Sequence, residues 1–414
     1  MQVYGRGNPG DSLEMTEGLL VTALGHQGEG RLEDGRFVPR VLPGERVEIV
    51  ADGAARVLAP SAERVSAPCR HYKACGGCSL QHANDPFVAE WKQEVVASAL
   101  RGRHIEAEIE GIRTSPPQSR RRAKFSATRT KKGAIVGLHG RASGTIHAVP
   151  DCRLMTPKIL AALSSLELLT ARIASRREEI GITLTDTDAG LDVAVEAGSE
   201  GRTHFEAISE IARQADFSRI SVNGEVIAQR RPPIVLFDGI AVTPPSGAFL
   251  QATEDGEAAL REVVHRNVDG ARRIIDLFSG CGTFSLPLAR YAQVHAVESE
   301  TEMLDALEAG WRRSEGLKQV TVERRDLFRR PVRVDELEKY HAVVIDPPRA
   351  GAEAQVAELA QSRVPRIAMV SCNPVTFARD AETLIKGGYQ IGPIRVVDQF
   401  RWSSHVEIAA GFTR

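Results

Sequence analysis

The chain has 414 residues, 42% of them hydrophobic, with a formal net charge of -1. That length supports two or three domains with separate cores, while the near-zero charge excludes a global field that would recruit nucleic acid or an anionic membrane, so such a partner has to be met by a local patch. No apolar run reaches the roughly 20 residues of a membrane span, and the opening MQVYGRGNPGDSLEM lacks the charged and apolar regions of a signal peptide, so the expectation is a cytoplasmic monomer.

From Glu17 to about Arg64, short alternating segments (GLLVTALG, GRFVPRVL, ERVEIV, ARVLAP) are punctuated by Gly, Pro and Asp. They predict a small antiparallel barrel over residues 1–66. Within it, GEGRLEDGRFVPRVLPGERV, from Gly28 to Val47, resembles the TRAM module, an oligonucleotide-binding-like barrel appended to RNA-modifying enzymes.

Residues 67–238 read as a central α+β domain, with a helical stretch after Met155 and strands such as GITLTDTDAGLDVAVEAG. Six cysteines are too few for a disulfide scaffold in a chain this long. Three of them, Cys69, Cys75 and Cys78, fall within ten residues, and Cys152 follows far downstream. Four thiolates hold either zinc or a 4Fe-4S cluster, and spacing alone leaves both open. A radical enzyme would need an iron without a cysteine ligand, typically in Cys-x3-Cys-x2-Cys; here the first gap is five and a fourth cysteine is at hand, so the site reads as structural. Between Gly111 and Lys132 there are eight Lys or Arg and no acid. Beside a TRAM-like barrel that run predicts a phosphate-tracking surface, with Arg70, His71, Lys73 and His82 as further phosphate contacts.

Over residues 239–414 the pattern becomes strands spaced by helices: RRIIDLF, AQVHAVE, KQVTVER, HAVVID and RIAMVSC. Buried strands of this kind form a parallel doubly wound sheet with ligands at the strands' carboxyl ends. IRVVDQF and HVEIAAGF stand too close for a crossover helix, so an antiparallel hairpin is expected at the sheet's end.

Asp276 to Phe284, DLFSGCGTF, is a strand entering a glycine turn, where absent side chains let a ligand approach the backbone. It lacks the third glycine of a dinucleotide site, and Glu298 ends the next strand, placed to accept both hydroxyls of a ribose. The string resembles the first motif of class I S-adenosylmethionine methyltransferases. Asp346-Pro347-Pro348-Arg349 ends the fourth strand in a rigid turn. Enzymes that methylate exocyclic amines carry a base-stacking aromatic where Arg349 stands, and RNA cytosine C5-methyltransferases bring a second cysteine into this loop. Both absences speak against those substrates.

Cys372, in VSCNPVTFARD, sits at the carboxyl end of the following strand. A thiol alone is more often inert and buried; at this edge it is placed to act as a nucleophile. Adding to carbon 6 of uracil would make carbon 5 nucleophilic, and Glu407 on the last segment is the candidate base for the carbon-5 proton. DLFSGCGTF, DPPRAG, VSCNPVTFARD and SSHVE, in this order, resemble the RNA 5-methyluridine methyltransferase family over nearly the whole chain. The resemblance implies a Rossmann-like α/β methyltransferase domain behind a TRAM/OB-like barrel and a central iron-sulfur domain. It implies Cys372 as nucleophile, Glu407 as base, and S-adenosylmethionine contacts from Gln251, Phe278, Glu298 and Asp346. It also favours a 4Fe-4S cluster on Cys69, Cys75, Cys78 and Cys152, and an RNA substrate, 23S ribosomal RNA ahead of tRNA. The chain departs from the family at Thr253 and Thr283, where Asn is usual, and in Phe400-Arg401-Trp402 before the last motif. A cytosine or amine methyltransferase and a non-enzymatic RNA-binding protein are the competing readings.

Overall fold

In the structure, a computed structural model, residues 18–51, 53–198 and 204–414 are described. The opening residues, part of the expected barrel and the stretch read for a signal peptide, lie outside that set. Strands Leu19–Leu24, Gly30–Leu32, Phe37–Val38, Arg46–Ile49 and Ala55–Ala59 form an antiparallel five-stranded sheet with Leu19–Leu24 at its centre. Alternation along these strands buries Val21, Leu32, Val38 and Val47 together with Val41. Among the described residues the outer strands Phe37–Val38 and Ala55–Ala59 are not paired with each other, so the ladder runs open.

A seven-stranded sheet follows, in the order Glu225–Gln229, Arg219–Val222, Gly190–Glu196, Glu179–Thr187, Arg122–Arg129, Ala134–His139 and Ile146–His147. Helix Pro157–Ile173 buries Ile159, Leu163, Leu166 and Ile173, a three-to-four-residue spacing that lays one apolar stripe on this sheet.

The remaining sheet has eight strands: Val320–Arg324, Gln293–Glu298, Arg273–Leu277, Ala342–Ile345, Arg366–Ser371, Glu407–Thr413, Gln390–Asp398 and Ile109–Thr114. All run parallel except Glu407–Thr413, which is antiparallel to both its neighbours. Runs such as Ala342–Ile345 are buried at every position because helices cover both faces. The strand order reverses at Arg273–Leu277 and Ala342–Ile345, which opens a crevice at their carboxyl ends. The expected hairpin is present, yet it does not end the sheet: Ile109–Thr114, from the segment preceding the central sheet, pairs with Gln390–Asp398 and forms the edge. The helix before that strand, Asp85–Arg101, is capped by the Asn84 side chain, which accepts from Phe87 N at 2.9 Å. Its Val96 and Leu100 enter the same core as Ile275, Ile345 and Phe377. No helix among the described residues is long and apolar enough to cross a membrane.

Candidate active site

The strand Arg273–Leu277 delivers Asp276 into the interior, and the chain then turns through Phe278 at φ +62°, Gly280 at +54° and Gly282 at +100°. A Cβ on Gly282 would press against Leu286 and Leu307 at 3.0 Å, so a side chain is disfavoured there by space as well as by backbone conformation. The helix after the turn is a single turn, Ser285–Leu288. Glu298, at its strand end, accepts from Gly280 N at 3.1 Å and Ser299 N at 2.6 Å, which fixes its carboxylate against the glycine turn. Asp276 takes Ser285 Oγ on Oδ2 at 2.5 Å, while its Oδ1 and the Oγ of Ser279 are buried without a hydrogen-bond partner. Burial, reinforced by Asp346 and Glu298, pushes the Asp276 carboxyl up to about 7. Orphaned polar atoms beside a side-chain-free turn fit a polar, hydroxyl-bearing ligand.

On the neighbouring strands the ladder ends at the pair Ser371–Ile408; Cys372 follows the first of these and Glu407 precedes the second, and both line one cleft. Burial pushes the Cys372 thiol up to about 11, with Glu407 and then Asp346 adding to the rise. Glu407 is itself buried and its carboxyl lies well above the ordinary range, first through burial and then through Asp346. Burial holds Asp346 at about 7. Gln251 donates Nε2 to Asp346 Oδ2 at 3.4 Å and accepts Gln399 Nε2 at 2.6 Å. Thr253, where the family has Asn, caps helix Glu254–Val268 by accepting from Gly256 N at 3.0 Å, and lies 2.7 Å from Ser115 Oγ.

The tails of the motifs hold the loops in place. Asn373 donates Nδ2 to Arg349 O at 3.1 Å, and buried Asp380 accepts from Ala352 N at 3.0 Å. Thus helix Pro374–Lys386 and its cap, beside the thiol, hold the Asp346–Gly351 loop at Arg349 and just past its end at Ala352. Both residues were hidden in a string whose interest lay in its cysteine.

Cys372, Glu407, Gln251 and Arg349 line a cleft of about 1500 Å³, whose other walls include Leu24 and His26 of the first sheet and Gly77, Arg120 and Arg141 of the middle region. Phe249 and Val375 stand exposed on its wall, at 64% and 60%. Phe278, Glu298 and Asp346 do not line it; they stand at the ends of the adjoining strands. The basic run is split: Arg120, Arg121 and Arg122 turn inward, while Arg113, Lys124, Arg129, Lys131 and Lys132 are exposed, the first two of these in ion pairs. Arg121 is buried against Glu257 at 2.5 Å, Arg122 donates to Ala248 O, Arg113 pairs with Asp255 and Lys124 with Glu196. Arg129, Lys131 and Lys132 remain exposed. His82, expected to touch phosphate, is instead buried with Nδ1 2.6 Å from Tyr72 OH. Arg70 and His71 are engaged by Asp151.

Cys69, Cys75, Cys78 and Cys152 line one small cavity together with Tyr72, Gln81 and Arg120. No group of three or more His, Cys, Asp or Glu among the described residues converges as a metal-ion site. Burial pushes Cys78 up to about 12, and the other three thiols push it further, as unneutralised thiolates facing one space must. Four thiols around one cavity are a donor set that either a zinc ion or a 4Fe-4S cluster takes. Just past Cys78, the N–H groups of Ser79 and Leu80 donate to Trp402 O at 2.8 and 2.9 Å, tying this loop to the segment before Glu407.

Residues 245–413 match the family model described as tRNA (uracil-5-)-methyltransferase. An uncharacterized RNA methyltransferase of Mesorhizobium japonicum is 43% identical over 404 residues, covering 96% of this chain and 98% of the relative. A 23S rRNA (uracil(1939)-C(5))-methyltransferase, RlmD, of Chromohalobacter salexigens is 31% identical over 431 residues, 96% of this chain and 89% of the relative. The crystal structure of Pyrococcus abyssi tRNA (uracil-54, C5)-methyltransferase with S-adenosyl-L-homocysteine superposes with a TM-score of 0.74 at 23% identity, over 97% of this chain and 100% of the other, which establishes the common fold. With a doubly wound sheet, a thiol and a carboxylate at its carboxyl edge, and relatives matching from end to end, this chain belongs to the RNA uracil-5-methyltransferase family.

Proposed function

We propose that the protein methylates carbon 5 of a uridine in 23S ribosomal RNA through a transient covalent bond to Cys372. The observation that carries this is that Cys372 and Glu407, either side of the last ladder pair Ser371–Ile408, line one cleft with Gln251, which holds Asp346. S-adenosylmethionine, when bound by Glu298, Phe278, Asp346 and Gln251, supplies an electrophilic methyl group to carbon 5. Cys372 sulfur adds to carbon 6, and the electron pair of the 5,6 double bond moves toward oxygen 4, leaving carbon 5 nucleophilic. Once carbon 5 carries the methyl group, the Glu407 carboxylate takes its hydrogen as a proton. The released pair restores the double bond as the sulfur–carbon bond breaks and the thiolate departs. Burial makes Glu407 a stronger base than an exposed carboxylate.

A cleft reaching the first sheet and the cysteine loop has room for folded RNA with its target base flipped out, at a cost of a few kcal/mol. The N-terminal sheet and the ribosomal-RNA relative support 23S RNA over tRNA. The four cysteines are read as holding a 4Fe-4S cluster that fastens residues 69–78 beside the cleft, in a cytoplasmic monomer. RNA carrying 5-fluorouridine tests the chemistry, because fluorine cannot leave as a proton: a stable protein–RNA adduct is expected, lost in Cys372→Ala. No adduct, or one that survives that substitution, rules the mechanism out. Mapping 5-methyluridine in RNA from cells with and without the protein tests the substrate.

A further inference from the structure

Helix Asp85–Arg101 buries five side chains, and only Lys92 among them is charged. Its ammonium has no solvent exposure and donates to Asp398 Oδ1 at 2.5 Å, His405 O at 3.0 Å and Phe400 O at 3.4 Å. Three protons thus meet three acceptors, and all three acceptors belong to the connection between the last two strands of the chain. Asp398 ends one strand, directly after Val397, which pairs with Glu407; His405 lies two residues before Glu407 on the other side. An apolar residue would fill this interior position without desolvating a charge. The buried ion pair therefore serves placement: it clips together the two feet of the connection at the pair Val397–Glu407.

We propose that Lys92 is a positioning residue for Glu407, holding the carboxylate within reach of the carbon-5 hydrogen after the methyl group has been transferred. This rests on the covalent reaction described above. Lys92 touches neither the thiol nor the cleft, so its loss should spare adduct formation and impair only the step in which the proton leaves and the sulfur–carbon bond breaks.

The test compares wild type with Lys92→Met/Asp398→Asn, in which no unpaired charge is left in the interior. Expected are an unchanged thermal midpoint within a few degrees, unchanged S-adenosylhomocysteine binding and an unchanged rate of adduct formation with 5-fluorouridine RNA. On ordinary uridine RNA, turnover should fall roughly 10- to 100-fold, at or below the lower end of the ~10²–10⁴ that a general base contributes, with KM for RNA unchanged and a methylated protein–RNA adduct accumulating. If the pair does not fold, Lys92→Arg, which keeps the charge but spreads the donors, carries the same comparison. Wild-type turnover, or lost turnover without accumulated adduct, overturns the role of Lys92. If wild type itself gives no adduct with 5-fluorouridine RNA, the covalent reading fails first and this proposal with it.

Discussion

Cys372 and Glu407 flank the last pair of an antiparallel ladder, Ser371–Ile408, the thiol directly after Ser371 and the carboxyl directly before Ile408. The proposed nucleophile and base are thereby anchored at the end of a backbone ladder, which is stiffer than a free loop. Glu407→Gln keeps the shape and removes the base. Turnover on uridine RNA should fall by roughly 10²–10⁴, and a methylated adduct should persist on denaturing gels; Cys372→Ser should show neither turnover nor adduct. Normal product release by Glu407→Gln would assign the base elsewhere.

Since burial and two neighbouring carboxyls hold the Cys372 thiol at about 11, the thiolate is scarce at neutral pH in the free protein. The second-order rate of adduct formation with 5-fluorouridine RNA should climb with pH between 7 and 9, by up to about tenfold per unit. A flat profile would mean that RNA binding itself removes the proton.

Asp276 is fully buried and its carboxyl is pushed up to about 7 from the 3.8 of an exposed aspartate. The native state therefore binds this proton more tightly than the unfolded chain. Nothing is lost below pH 3.8, stability falls as pH rises through 7, and above it the penalty is constant, on the order of a few kcal/mol. Asp276→Asn should therefore be more favourable to stability at pH 8 than at pH 5, read from urea midpoints at the two values. Equal effects at both would show that the carboxyl is ionised on folding.

Glu298 meets the glycine turn through Gly280 N on Oε2, while Oε1 takes the N–H groups of Ser299 and Glu300 and the Ser299 hydroxyl, so Oε2 is the oxygen with room for a ribose hydroxyl. Glu298→Gln should weaken S-adenosylhomocysteine binding by about tenfold to a hundredfold, the worth of one charge-assisted hydrogen bond, ~1.5–3 kcal/mol. Calorimetry giving the wild-type affinity would remove the residue from the cofactor site.

The four-thiol loop is hydrogen-bonded to the segment ahead of Glu407 through Ser79, Leu80 and Trp402. Anaerobically purified protein should contain about four irons per chain. Cys78→Ser should lose that iron and lower the thermal midpoint by several degrees, a loss of roughly 2 kcal/mol corresponding to about 4–8 °C. One zinc per chain in place of iron would overturn the cluster assignment.

The chemistry was legible where backbone demands constrain sequence. Gly280 and Gly282 mark a turn of positive φ, and Cys372 and Glu407 stand out because one directly follows a buried strand and the other begins one. Composition counts the charges of the basic run without their partners: Arg121 finds Glu257, and Arg113 finds Asp255, more than a hundred residues away. Lys92 was invisible for a similar reason. On a helix with acidic neighbours it reads as a solvated charge, and only the arrival of Asp398 from the other end of the chain makes it interior. Thr253 differs again, its capping hydroxyl supplying a local reason for a residue that a motif comparison counts as a departure.

Ile109–Thr114 completes a sheet whose other strands all lie beyond residue 272, and it pairs with Gln390–Asp398 close to the far terminus. On the ribosome this segment emerges early and waits for nearly the whole chain before its partner appears. Maturation of the catalytic half therefore hinges on a late, long-range closure, and during that wait an unpaired edge strand is open to association with other nascent chains.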